Sequence, residues 1–154
     1  MRSISLLLVA VLVACTPGAP SAGAANAAAT TSTSLTTIDV SLTTSTVVAT
    51  AYGSSGGFTP PIATVPVGST IRFVNVDSFA HTSSSFDGAA FPAGSPLGGS
   101  ALNTSGDRLS TGWTSGNLAA GASSQPLLAD KAGTYLYGCF YHYGAPMRGA
   151  VIVR

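Results

Sequence analysis

Thr134-Tyr135-Leu136-Tyr137-Gly138-Cys139-Phe140-Tyr141-His142-Tyr143-Gly144-Ala145-Pro146-Met147-Arg148-Gly149-Ala150-Val151-Ile152-Val153 is written as a strand, a tight loop and a second strand. Aromatic and β-branched residues fill both ends, as a pleated, half-buried surface favours, while Gly144 and Pro146 interrupt the middle. The same texture continues outward. Strands are predicted over Gly133 to Phe140 and Ala150 to Val153, with another over Gln125 to Leu128. Upstream, Thr70-Ile71-Arg72-Phe73-Val74-Asn75-Val76 alternates so that Ile71, Phe73 and Asn75 face one way. Thr37-Ile38-Asp39-Val40-Ser41-Leu42 alternates likewise, and Val47-Val48-Ala49-Thr50 reads as its continuation or its partner. Ile62 to Val67 adds an extended run, Gly53 to Gly57 and Pro60-Pro61 read as breaks, and the Gly/Pro-rich stretch 87–112 reads as a long loop. No segment carries a sustained helical period with caps at both ends, and no internal repeat is visible. The expected fold is therefore all-β, a single-domain Greek-key β-sandwich over residues 36–154.

Charge narrows the function classes. Asp, Glu, Lys and Arg make up 7% of the 154 residues and the formal net charge is +1, so no basic field exists to hold nucleic acid or an anionic surface. The hydrophobic fraction of 45% argues for a packed core rather than disorder.

The N-terminus reads as an address. Arg2 followed by the apolar run Ile4 to Val13 has the form of a secretory signal over residues 1–14, too short to span a bilayer as a stable helix. Leu12-Val13-Ala14-Cys15 resembles a bacterial lipobox, which implies lipidation of Cys15 and attachment to a membrane. Residues 15–35 then form an Ala/Ser/Thr-rich stretch expected to act as a flexible tether. The domain is accordingly expected outside the cytoplasm, in the periplasm or at the cell surface, held through its N-terminal lipid.

One thiolate, one imidazole and one thioether sit together in Cys139, His142 and Met147, on a loop between two strands. His81, closing the strand that starts at Thr70, supplies a second imidazole. A trigonal set of two histidines and a cysteine with a weak methionine suits copper, where softness and geometry are balanced between Cu(I) and Cu(II). The set also exhausts the supply: the sequence has two histidines, and Met147 is its only methionine after Met1. A zinc site would favour more cysteine or histidine and no thioether. A Cys–His hydrolase would need Cys139 beside a base with a third orienting group. A multicopper oxidase or a copper nitrite reductase would need further histidines.

The Cys-x2-His-x4-Met spacing of residues 139–147 resembles the cupredoxins, plastocyanin-like and pseudoazurin-like proteins in particular. So do the stretches Val67 to Asp77 with Ala80-His81-Thr82, Ser115-Gly116-Asn117-Leu118 with Ala132 to Cys139, and Gly149 to Val153. The resemblance covers roughly residues 37–154. It implies one copper ion bound by ring nitrogens of His81 and His142, the Cys139 thiolate and an axial Met147. It further implies an electron carrier rather than an enzyme, with His142 near the surface as the electron port, and a monomer is the default expectation for a small redox carrier. Tyr141, Tyr143, Ala145 and Pro146 would form an apolar patch where redox partner proteins dock. Pro146 stands where the family often has glycine, the stretch 83–112 is longer than in plastocyanins, and no acidic patch is present. The competing reading is a copper protein for storage, delivery or resistance, although Met-rich or His-rich tracts are absent from the sequence. Asn75 reads either as a hydrogen-bonding support for the Cys139 loop or as an ordinary buried strand residue. Trp113 reads as a core or loop anchor, Asp77 and Asp87 as turn residues, and the tyrosines around Cys139 as packing and rim.

Overall fold

The computed structural model describes residues 33–154. The signal segment 1–14, the lipidation site Cys15 and the tether up to residue 32 lie outside the described residues. Strands β1 (Leu35–Val40), β4 (Phe58–Thr59), β6 (Thr70–Asn75) and β10 (Leu127–Leu128) form one sheet in the order β10-β6-β1-β4. The second sheet is built from β5 (Ile62–Val65), β7 (Ser84–Phe86), β8 (Thr104–Ser105), β9 (Thr114–Ser115), β11 (Gly133–Gly138) and β12 (Arg148–Val153), in the order β5-β12-β11-β7-β9-β8. A short ribbon pairs β2 (Val48–Thr50) with β3 (Gly53–Ser55). The expected all-β Greek-key sandwich is the architecture found.

Alternation explains the core. Along β6, Ile71, Phe73 and Asn75 point inward, as their period predicts, and along β1 Ile38 and Val40 do the same. The apolar members of this set meet Tyr137 of β11, Val151 and Val153 of β12 and Ala63 and Val65 of β5 in one buried cluster. Trp113 is a core anchor, stacked on Phe73 at 5.0 Å between ring centroids. Tyr137 sets its ring edge-on to Phe58 at 4.8 Å and Phe73 at 5.0 Å. Burying each such large side chain stabilises the fold by about 1.5–3 kcal/mol.

Three details differ from the sequence reading. Val48–Thr50 neither continues β1 nor pairs with it; its partner is β3, in a segment that reads as a break. Chain direction changes because the Ser41 hydroxyl accepts the N–H groups of Thr43 and Thr44, closing a side-chain turn that ends β1. The stretch 87–112 is not bare loop: it holds β8 and the 3-10 turns Gly99–Leu102 and Leu109–Thr111.

Candidate metal centre

The parallel pair β1–β6 and the antiparallel pair β11–β12 both open toward one pole of the sandwich, where the chain leaves β6 at Asn75 and β11 at Gly138. Cys139 follows directly. Its N–H donates to the Met147 carbonyl at 2.9 Å, so the ligand loop is closed by a backbone bond between its first and last residues. The His142 carbonyl accepts N–H groups from Ala145 at 2.9 Å and Met147 at 3.2 Å, which winds the loop tightly beneath the imidazole. Gly138 is required here. A β-carbon on it would lie 2.8 Å from the Tyr143 ring.

His81 arrives from the other sheet. Its N–H donates to the Leu118 carbonyl at 3.1 Å and its carbonyl accepts the Leu118 N–H at 2.8 Å. Asn75 braces that junction: its side-chain amide reaches the carbonyls of Phe79, Leu118 and Ala119 at 2.8–3.1 Å. Asn75 thus supports the His81 side of the site and not the Cys139 loop. The tie to the Cys139 loop comes from Thr82, whose hydroxyl accepts the Phe140 N–H at 2.8 Å and whose own N–H donates to Cys139 Sγ at 3.4 Å.

Three donor atoms converge. Cys139 Sγ lies 3.8 Å from His81 Nδ1 and 3.6 Å from His142 Nδ1, and the two ring nitrogens are 3.2 Å apart. His81 and Cys139 are fully buried, and His142 is half-buried. Met147 is also fully buried, with its side chain laid against Gly57, where a β-carbon would come within 2.2 Å of Met147 Cγ. A single thiolate and two imidazoles, all offered from one small space, fit one copper ion.

The local electrostatics favour a thiolate. Burial alone would push the Cys139 thiol up, but hydrogen bonds from His81 and from the backbone of Thr82, His142 and Tyr141 hold it below its ordinary value. Burial opposes the charged form of His81, and its contacts with Cys139 and Asp77 outweigh this and raise it. His142 is lowered, by burial first and then by the charge of neighbouring His81.

A family model described as copper binding proteins, plastocyanin/azurin family, matches residues 44–154. The chain belongs to that family. Several solved cupredoxins are similar in fold. A purple cupredoxin from Nitrosopumilus maritimus shares 21% identity over 77% of this chain and 98% of its own, with a TM-score of 0.49. The oxidised plastocyanin of Dryopteris crassirhizoma shares 21% over 77% of this chain and all 100% of its own, at 0.46. A reduced amicyanin variant shares 18% over 77% and 80%, at 0.47. No curated protein matches the sequence. Copper is the cofactor of this cupredoxin domain, and His81, Cys139 and His142 form a cluster that could hold one ion.

The expected metal ligands His81, Cys139, His142 and Met147 lie at this pole, and three of the residues around them were not anticipated. Tyr143, expected on the docking rim, is buried: its ring packs edge-on to Phe86 and lies under the Arg148 guanidinium. Phe79 takes its place at the surface, 40% exposed and within 4.8 Å of the His81 ring and 5.7 Å of the His142 ring between centroids. Asp77, read as a turn residue, is buried and hydrogen-bonded to His81 Nε2 at 2.8 Å. The four-residue step from Asp77 to His81 is the one sequence signal that could have revealed it.

Proposed function

We propose that this cupredoxin domain is a type 1 copper electron carrier, in which His81 Nδ1, His142 Nδ1 and Cys139 Sγ would hold the ion as strong donors and Met147 would add a weak thioether. The observation that carries the reading is the convergence of that thiolate and those two ring nitrogens within 3.8 Å of one another. Copper, when bound, supplies the one-electron Cu(II)/Cu(I) couple. The protein's part is to keep the donors still. Backbone bonds close the loop, Thr82 anchors the cysteine, and Leu118 clamps His81, so little rearrangement accompanies a change of charge. His142, half-buried beside exposed Phe79 and Tyr141, is the proposed exit for the electron, and redox partner proteins are proposed to dock there. Attachment to a membrane outside the cytoplasm through lipidated Cys15 belongs to the same proposal. Intact-mass analysis of the membrane fraction tests it, since a chain still beginning at Met1 and lacking acyl groups would remove the anchor.

The first experiment is a visible and electron paramagnetic resonance spectrum with one equivalent of Cu(II), beside a Cys139→Ser control. An intense blue or near-blue charge-transfer band with small copper hyperfine splitting, absent from the control, is expected. A pale spectrum unaffected by the substitution would reject the ligand set and favour copper storage or delivery.

A further inference from the structure

Asp77 is the only buried acidic side chain among the described residues, and nothing about a solvent turn explains its surroundings. Its Oδ1 accepts the Ser41 hydroxyl at 2.6 Å and also the Thr43 hydroxyl. Its Oδ2 accepts the Leu42 N–H at 2.7 Å and faces His81 Nε2 at 2.8 Å. Both side chains of the Asp77–His81 pair are fully buried. A carboxylate receiving three donors from the β1–β2 turn is an acceptor only, so the fourth contact must be a donation from His81. Nε2 therefore carries a ring proton, and Nδ1, which faces Cys139 Sγ and His142, is the nitrogen left to serve a metal once its own proton is given up.

We propose that Asp77 is the positioning residue of the metal centre: it fixes the ring orientation and tautomer of His81, aims Nδ1 at the metal, and sets a buried negative charge against that ligand. Among the described residues, His81 is its only ion-pair partner, so no other cation cancels the charge. A negative charge behind a ligand makes that ligand more basic and favours the more highly charged ion. In this protein it tilts the couple toward Cu(II). The Ser41, Leu42 and Thr43 donors then act as a rheostat, each drawing some charge off the carboxylate.

The inference rests on copper binding at His81, so two kinds of readout separate them. In the full chain without metal, in mildly alkaline solution, 15N NMR should find the Nε2 of His81 protonated. Finding Nε2 without its proton there overturns the positioning role whatever copper does. With copper, Asp77→Asn keeps the shape and an acceptor while removing the charge. It should retain the charge-transfer band and weaken the preference for Cu(II) over Cu(I) about tenfold, a rise of about 59 mV in potential. An unchanged or lowered potential overturns the proposal. Should Asp77→Asn fail to fold, Thr43→Val serves: losing one donor leaves more charge on the carboxylate, so the potential should fall, and a rise or no change would count against it. If neither protein develops the band, the copper reading fails and the Nε2 proton alone judges Asp77.

Discussion

Met147 and Gly57 are matched to each other across the sandwich. Gly57 sits at φ +73°, where other residues are strained, and a β-carbon there would overlap the Met147 side chain. Gly57→Ala is expected to destabilise the protein by about 1–3 kcal/mol and to move the thioether, which denaturant titration and a shift of the charge-transfer band would register together. Tyr137 makes the opposite prediction. Its hydroxyl is buried without a hydrogen-bond partner, so Tyr137→Phe should leave stability unchanged or raise it by up to about 1 kcal/mol in the same titration. Residue identity made the candidate donors legible: scarce histidine, cysteine and methionine, set at one spacing, form a set that suits copper and little else, and His81, Cys139 and His142 do converge. Asp77 was barely legible, its spacing to His81 aside, for a physical reason. Its role depends on partners 34 to 36 residues away in the turn after β1, and no local pattern announces them.

At the scale of elements, the ligand loop is held from outside by Arg148. Its guanidinium donates to the carbonyls of Ser54 and Pro92 at 2.9 Å and lies 4.9 Å from the Tyr143 ring and 5.6 Å from the Phe91 ring. Tyr143 adds its own bond, donating to the Pro92 carbonyl at 3.1 Å. One side chain thus joins the β2–β3 ribbon, the long segment 87–112 and the loop that carries the ligands. Replacing it with methionine, Arg148→Met, should cost about 1–2 kcal/mol and speed hydrogen exchange at the Phe91 amide, which bonds Tyr52 at 2.8 Å, while β6 amides stay protected. Equal acceleration in both places would mean that Arg148 supports the whole fold instead. The strands with clean alternation, β1, β6, β11 and β12, could be read from the chain. The β2–β3 ribbon and the inward turn of Tyr143 could not, because glycine-rich text gives no period and the Arg148 contacts come from tertiary packing.

For the molecule as a whole, metal and proton act on the same stability. Copper that binds only the folded state should raise the melting temperature, with about 4 kcal/mol of added stability at a free concentration a thousandfold above its dissociation constant. Calorimetry before and after chelation measures this. In the metal-free protein Asp77 is the buried carboxyl that contributes to the acid limb. Burial opposes its ionisation, but hydrogen bonds from Ser41, Thr43, His81 and Leu42 hold its carboxyl well below the usual range. Its contribution is therefore complete above the unfolded value of about 3.9 and drains away as the pH falls through the folded one. His81, raised, and His142, lowered, act in opposite senses near neutrality. Denaturation midpoints followed from neutral to strongly acid pH should fall most steeply at the acid end, and Asp77→Asn should flatten that fall.

The register of the parallel strands has a practical outcome. Leu35 begins β1 beside Thr70, and Val153 ends β12 beside Val65, whereas the ligands follow Asn75 and Gly138 at the opposite pole. Whatever is joined to either end of the described domain grips it by its base. Wired to an electrode through Ser34 or Arg154, the protein would stand with His142 facing the solution, like a lamp screwed into its socket.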